Sequence, residues 1–251
     1  MSERSWGEDT PAQLGIQGYR SATGVVLRRK DTPTGDRLVY LVLREIGPVW
    51  ASVPGGAKGS VRFGGATEPF VWGLFHLYRS PRRLHLREVD VKEHFWELRS
   101  CPGALRRGLA WDALLSRLLL PGHPCDEILP PFFWALSFLR SGAPEEVVEW
   151  RFLWKWLRAW GRAPDLERCA SCGTPLEEGR WDLKEDGLQC AGCAPRSSGP
   201  DGWMAPPLLD ALRRAVFLES REFLAWSPRE IRSSWWHRVN GWLRRLLAQS
   251  G

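Results

Sequence analysis

With 251 residues, 43% of them hydrophobic, the chain can bury one large core or two to three small ones, and no uninterrupted apolar run approaches the ~18 residues that span a bilayer. The formal charge of +6 is concentrated between residues 20 and 99, where 14 Lys/Arg stand against 8 Asp/Glu, and the remainder is near neutral. That asymmetry suits a nucleic-acid-binding module joined to a scaffold, or else a basic surface kept for solubility.

Residues 1–18 are polar and Gly/Pro-bearing, so they read as a flexible leader with no apolar signal segment, and a reducing cytoplasmic setting is expected. Strand character begins at Ala22. Val25-Val26-Leu27 runs into Arg28-Arg29-Lys30, a turn cluster from Asp31 to Asp36 follows, and Leu38 to Leu43 forms the second arm of a hairpin. Val49 to Val53, Phe70 to Tyr78 and Leu84 to Val91 add three more strands, the last two joined at Ser80-Pro81 and flanked by Arg79, Arg82, Arg83 and Arg87. The Gly-rich stretch from Pro54 to Gly65 is a loop carrying Lys58, Arg62 and Phe63. Five short, turn-separated, basic strands over residues 19–98 suit a small closed barrel of the oligonucleotide-binding (OB) type, with an SH3-like barrel or small open sheet fitting the pattern nearly as well.

From residue 99 the periodicity becomes helical. Leu105 to Leu120 is stopped by Pro121-Gly122, Phe132 to Leu139 follows Pro130-Pro131, and a third helix runs from Pro144 to Gly161 with Trp150, Trp154, Trp156 and Trp160 at packing intervals. After residue 196 the helices resume with Leu208 to Leu218. Ser227-Pro228-Arg229-Glu230 reads as a capping box opening a helix to about Gln249. On it Arg232, His237, Arg238, Arg244 and Arg245 mix with Trp235, Trp236, Val239 and Trp242, which suits an amphipathic core helix with a solvated basic side better than a partner-binding surface.

Within this helical body, residues 166–196 carry Cys169-Ala170-Ser171-Cys172 and Cys190-Ala191-Gly192-Cys193, a C-x2-C-x17-C-x2-C pattern. Two such knuckles close a tetrahedron of thiolates, so Cys169, Cys172, Cys190 and Cys193 are the expected ligands of one structural Zn2+, with no open position for substrate. Paired disulfides or merely buried thiols are the alternatives, and the expected reducing setting disfavours disulfides. Cys101 and Cys125 stand alone and are expected to be ordinary buried or half-buried residues. The five histidines are scattered, with no paired acidic motif beside them, so no catalytic constellation is expected.

Three segments together resemble the bacterial RecO recombination-mediator family: Val25 to Asp31 with Gly35 to Val39, Gly56 to Gly64 with Glu68-Pro69-Phe70, and above all Gly161 to Gly173 leading into the first knuckle. The resemblance covers roughly residues 20–195. It implies an α+β, multidomain chain: an N-terminal OB-fold β-barrel (19–98), then a mostly α-helical domain in two parts (99–165 and 197–251) with the inserted four-cysteine zinc ribbon. It further implies a non-enzymatic mediator that binds single- and double-stranded DNA, anneals complementary strands coated by single-stranded-DNA-binding protein, and acts with RecR to help load RecA, in the cytoplasm at the nucleoid. Phosphates would then meet Arg28, Arg29, Lys30, Arg37, Lys58 and Arg62, a sequence-independent and salt-sensitive set. Phe63 is placed either on a base or under its own loop. The competing expectation is a structural adaptor whose barrel docks proteins without significant DNA affinity.

Overall fold

The computed structural model describes residues 17–58, 63–182, 186–194, 202–226 and 232–250. Residues 1–16 of the expected leader, Arg62, the linker at 196–201 and the expected capping box Ser227 to Glu230 lie outside the described residues. Two compact units divide the chain, Met1–Pro130 and Pro131–Gly251.

In the first unit, β1 (Gly18–Asp31), β2 (Arg37–Leu43), β3 (Gly47–Val53), β4 (Trp72–Arg79) and β5 (Leu84–Glu93) close into a barrel in the order β1-β2-β3-β5-β4. All neighbours are antiparallel except β3 and β5, which meet in parallel at Ser52 and His85. β1 begins earlier than expected and serves two ladders, pairing β4 with its first half and β2 with its second. The ladders overlap at Gly24, where a Cβ would lie 2.1 Å from the Val42 carbonyl oxygen, so only glycine fits. Val26, Leu41, Val49, Val53, Phe75 and Leu77 belong to the barrel's core cluster.

Val25, Leu27, Tyr40, Val42 and Pro48 are buried as well, although they lie outside that core cluster. Their cover comes from α1 (Pro102–Leu118), which packs on β1, and from the segment that follows it. Gly122 N–H donates to the Pro48 carbonyl at 2.9 Å, and the Glu45 N–H donates to Asp126 Oδ1 at 2.8 Å. Gly47, in the left-handed region at φ 82°, lies so close to His123 that a Cβ would stand 1.9 Å from its carbonyl oxygen. Burial pushes the Tyr40 phenol up to about 12, with Cys125 adding to the shift. Cys125 is buried as expected, whereas Cys101 is exposed because it precedes the Pro102 that opens α1, outside the packed face. By contrast β4 alternates buried and half-buried residues, so its outer side stays open.

The second unit holds α3 (Glu145–Ala159), α4 (Pro206–Phe217), α5 (Ser220–Ala225) and α6 (Ser233–Ser250), while α2 (Leu129–Arg140) starts at the boundary between the units. Unanticipated α5 is closed by a capping box in which Glu219 and Glu222 satisfy each other's backbone N–H. α6 buries Trp236, Val239, Trp242, Leu243, Leu246 and Leu247 and exposes Arg238, Arg244 and Arg245, the pattern of an amphipathic core helix. It packs on α3 through a buried carboxylate: Glu149 accepts from Arg244 Nε at 2.9 Å, and Asn240 donates to the Glu146 carbonyl at 2.9 Å. Arg151 caps the end of α4 by donating to the Ala215 and Leu218 carbonyls, its guanidinium lying 4.7 Å over Phe223 and 5.5 Å over Phe138.

Two stability measurements probe this packing. Arg244→Ala leaves the Glu149 carboxylate buried without its main partner and is expected to cost about 3 kcal/mol in urea unfolding; an unchanged midpoint would contradict the assigned role. Asp112, fully buried on α1 with neither carboxyl oxygen hydrogen-bonded among the described residues, has its pKa held well above the usual carboxylate range by desolvation, against a smaller opposing effect of Arg28. The folded state therefore binds a proton that the unfolded chain has released, so this group's contribution to stability falls as pH rises above about 4. Asp112→Leu is expected to melt higher than wild type at pH 7, with the gain shrinking towards pH 4.

Candidate nucleic-acid interface and four-cysteine centre

Of the expected phosphate-binding cations, Arg28, Arg29, Lys30 and Lys58 lie at the β1–β2 end of the barrel. A bulge in β1 makes Leu27 an extra residue, since Val26 pairs with Leu41 and Arg28 with Tyr40. Beyond it Arg28, Arg29 and Lys30 are exposed on the distal end of β1. Lys58 joins them because the loop after β3 folds back on the β1–β2 turn: Ala57 N–H donates to the Gly35 carbonyl at 3.1 Å, and Gly55 N–H to Asp36 Oδ1 at 2.8 Å. The Lys58 stem lies over Gly35, where a Cβ would be 2.3 Å from its Cε.

Arg37 occupies a different position. Its guanidinium grips both Asp31 oxygens (2.6 and 3.1 Å), donates to Thr67 Oγ1 at 2.8 Å and lies 3.8 Å from Glu68, leaving the side chain 11% exposed. The Asp31 bond raises its pKa above the ordinary arginine value, and the same bond lowers the pKa of Asp31. Arg37 thus clamps the hairpin to the 66–68 turn, while Arg29 meets the same Glu68 at 2.9 Å. Phe63 packs against the barrel core.

In the second unit the four sulfurs of Cys169, Cys172, Cys190 and Cys193 all lie within 4.8 Å of one another, with Cys172 and Cys190 at 3.7 Å. A tetrahedral metal with ~2.3 Å metal–sulfur bonds requires ~3.8 Å between sulfurs, so the spacing fits. Each knuckle is set by its own backbone: Gly173 N–H donates to the Cys169 carbonyl at 2.8 Å, with Gly173 at φ 72°, and Ala194 N–H donates to the Cys190 carbonyl at 2.9 Å. Burial opposes ionisation of Cys169, but the amides of Cys190, Cys172 and Ser171 outweigh it and bring the thiol down to about 6. Neighbouring Cys172 and Cys190 hold the Cys193 proton, pushing that thiol up to about 12. Four thiols this close cannot all ionise without a cation among them, so the set could hold a metal ion.

The segment between the knuckles forms β6 (Gly179–Asp182) and β7 (Gly187–Gln189), and β8 (Trp203–Met204) joins from beyond the linker in the order β7-β6-β8. Trp181 on β6 stacks on Trp242 of α6 at 4.9 Å and 17°, and meets Trp150 of α3 edge-on at 6.5 Å. Arg213 of α4 donates to the Leu166 and Leu176 carbonyls, bracketing the first knuckle. These anchors were not legible in advance: their partners stand 31 to 61 residues apart in sequence. Two aromatics of this unit are 48% exposed: Trp134, stacked on buried Phe138, and Phe217, edge-on to buried Trp154 with the Arg158 guanidinium over the Trp154 ring.

Cys190→Ser is expected to lower bound metal, measured on the purified chain by elemental analysis, from about one equivalent to near zero and to lower the melting temperature. Retention of a full equivalent by the variant would contradict assignment of this cluster as the metal site.

Residues 109–236 match the family model described as the C-terminal part of recombination protein O. The chain is 38% identical over 178 residues to the DNA repair protein RecO of Anaeromyxobacter sp. (strain K), covering 69% of this chain and 70% of that one. It is 27% identical over 171 residues to the DNA repair protein RecO of Clostridium novyi (strain NT), covering 67% of each chain, and 26% identical over 223 residues to the DNA repair protein RecO of Desulfitobacterium hafniense, covering 85% of this chain and 81% of that one. Among the described residues no helix is long and apolar enough to cross a membrane. On the extent of the family match and the identity to the Anaeromyxobacter protein, the chain belongs to the RecO family.

Proposed function

We propose that this chain is a non-enzymatic recombination mediator in DNA repair: it binds single- and double-stranded DNA through an OB-type barrel, anneals complementary strands, and helps load RecA together with RecR. The observation that carries this reading is the convergence of Arg28, Arg29, Lys30 and Lys58 at one end of a five-stranded closed barrel, whose order β1-β2-β3-β5-β4 with parallel β3 and β5 supports the OB reading. Neutralising two phosphate backbones at such a site lowers their mutual repulsion, and base pairing stabilises the annealed product, so no covalent step is required. Arg62 belongs to the same loop as Lys58 and joins the set by position in sequence. Arg37 supports it from behind, holding the β1–β2 turn in place.

Cys169, Cys172, Cys190 and Cys193 are assigned to one structural Zn2+, which when bound ties the two knuckles together and keeps β6 against α3 and α6. Exposed Phe217, edge-on to Trp154, with exposed Arg158 over the Trp154 ring, suits an acidic, aromatic-ended peptide tail, which supports single-stranded-DNA-binding protein as a partner. The setting is the cytoplasm, at the nucleoid.

The test is fluorescence anisotropy of a labelled oligonucleotide across a salt series, with the quadruple variant Arg28→Ala/Arg29→Ala/Lys58→Ala/Arg62→Ala alongside. Wild-type affinity is expected to fall steeply with salt, and the variant to bind more weakly with a slope shallower by about one for each phosphate no longer neutralised. A variant that binds as well as wild type, or a wild type without salt-dependent affinity, would favour a protein-docking adaptor instead.

A further inference from the structure

OB barrels usually offer nucleic acid the outer side of their second and third strands. In this chain much of that side is covered: Tyr40, Val42 and Pro48 are buried, and Pro48 is hydrogen-bonded to Gly122 of the segment after α1. What remains open is the outer side of β4, β5 and the first half of β1. There Tyr19 is 77% exposed, is paired in register with Tyr78, and has its ring 5.0 Å from that of Tyr78.

A backbone irregularity aims a cation at this pair. His76 pairs with Glu88 and Leu77 with Leu86, so Arg87 is the extra residue of a bulge, and its guanidinium lies 5.3 Å over the Tyr78 ring. Tyr78 also pairs with His85, whose pKa is lowered by burial and then by Arg87 and Arg83. Exposed Arg82 and Arg83 form the adjoining turn. The acidic residues of β5 are Glu88, Asp90 and Glu93; Asp90 is engaged with His76, which also bonds Ser21, and Glu93 accepts from the backbone N–H groups of His94 and Phe95. In register, His85 opposes Ser52, next to Val53, whose partner is Arg37.

We propose that Tyr19 and Tyr78, with Arg87 behind them, form a base-stacking platform for single-stranded DNA on the β1–β4–β5 side of the barrel. The proposal rests on the DNA-binding reading above and adds to it a discriminating element. Cations meet any phosphate backbone, single or duplex, whereas an exposed aromatic face takes only bases that are not already stacked in a duplex. A cross-strand tyrosine pair that served stability alone would need neither the exposure of Tyr19 nor a bulged arginine over its partner.

The experiment compares the full chain with Tyr19→Ala, Tyr19→Phe and Arg87→Ala, titrating an oligo-dT strand and a duplex of equal length at several salt concentrations, with a melting curve for each variant. Tyr19→Ala is expected to weaken oligo-dT binding about five-fold or more with an unchanged salt slope, while duplex affinity stays within about two-fold and melting is unchanged. Tyr19→Phe is expected to bind as wild type, and Arg87→Ala to weaken oligo-dT binding. Single-strand affinity within about two-fold of wild type for Tyr19→Ala, while the quadruple cation variant is weakened, would overturn the platform and leave the phosphate cluster standing. Parallel loss of single-strand and duplex affinity would also overturn it, and a wild type that binds neither ligand would overturn both readings.

Discussion

Burial of both sides of the β1–β2–β3 half of the barrel is the constraint on which the rest of the first unit depends. A strand covered on both sides carries apolar residues without alternation, and Leu38-Val39-Tyr40-Leu41-Val42-Leu43 is such a run. Its odd members, Val39, Leu41 and Leu43, belong to the barrel core, while Tyr40 and Val42 are buried outside that cluster. Once this half is closed, solvent reaches the barrel at its β1–β2 end and over β4 and β5. The cations stand at the first place and the exposed tyrosine at the second.

Electrostatics within the cluster divides positioning from binding. Arg37, the least exposed of the described cations there, is held by Asp31, Thr67 and Glu68, which fixes the turn that carries its neighbours. Arg28, Lys30 and Lys58 remain at the surface, where a hydrated cation meets a phosphate at little desolvation cost. The second unit follows a similar logic around its cysteines. A ribbon this small buries little surface of its own, and it is anchored to the helices by Trp181 packed among Trp150 and Trp242. Helix, ribbon and buried carboxylate therefore meet on α3 and α6, which carry Trp150, Glu149, Trp242 and Arg244.

Much of this was legible in the sequence where the signal is local. Cysteine spacing alone places four sulfurs together, because each knuckle is a two-residue turn and its geometry is set within the segment. The five strands and most helix spans follow from periodicity and from Gly/Pro punctuation. Four features escaped, each for a non-local reason. The cover over β2 and β3 is supplied by residues some 70 positions on, although the unbroken apolar run was its trace. The clamp on Arg37 follows from hairpin register, which sets Asp31 opposite it. β8 pairs across a linker, and two residues are too short to carry a strand pattern. The Tyr19–Tyr78 pair lay hidden because β1 starts earlier than its apolar stretch and reaches back to β4.

The most direct test of the account is ultraviolet cross-linking of the full chain to oligo-dT, with the modified peptides mapped by mass spectrometry. Cross-links are expected within Met1–Pro130, in peptides containing Tyr19, Arg28 to Lys30, Lys58 or Tyr78. Cross-links confined to Pro131–Gly251 would contradict it and move the nucleic-acid interface off the barrel.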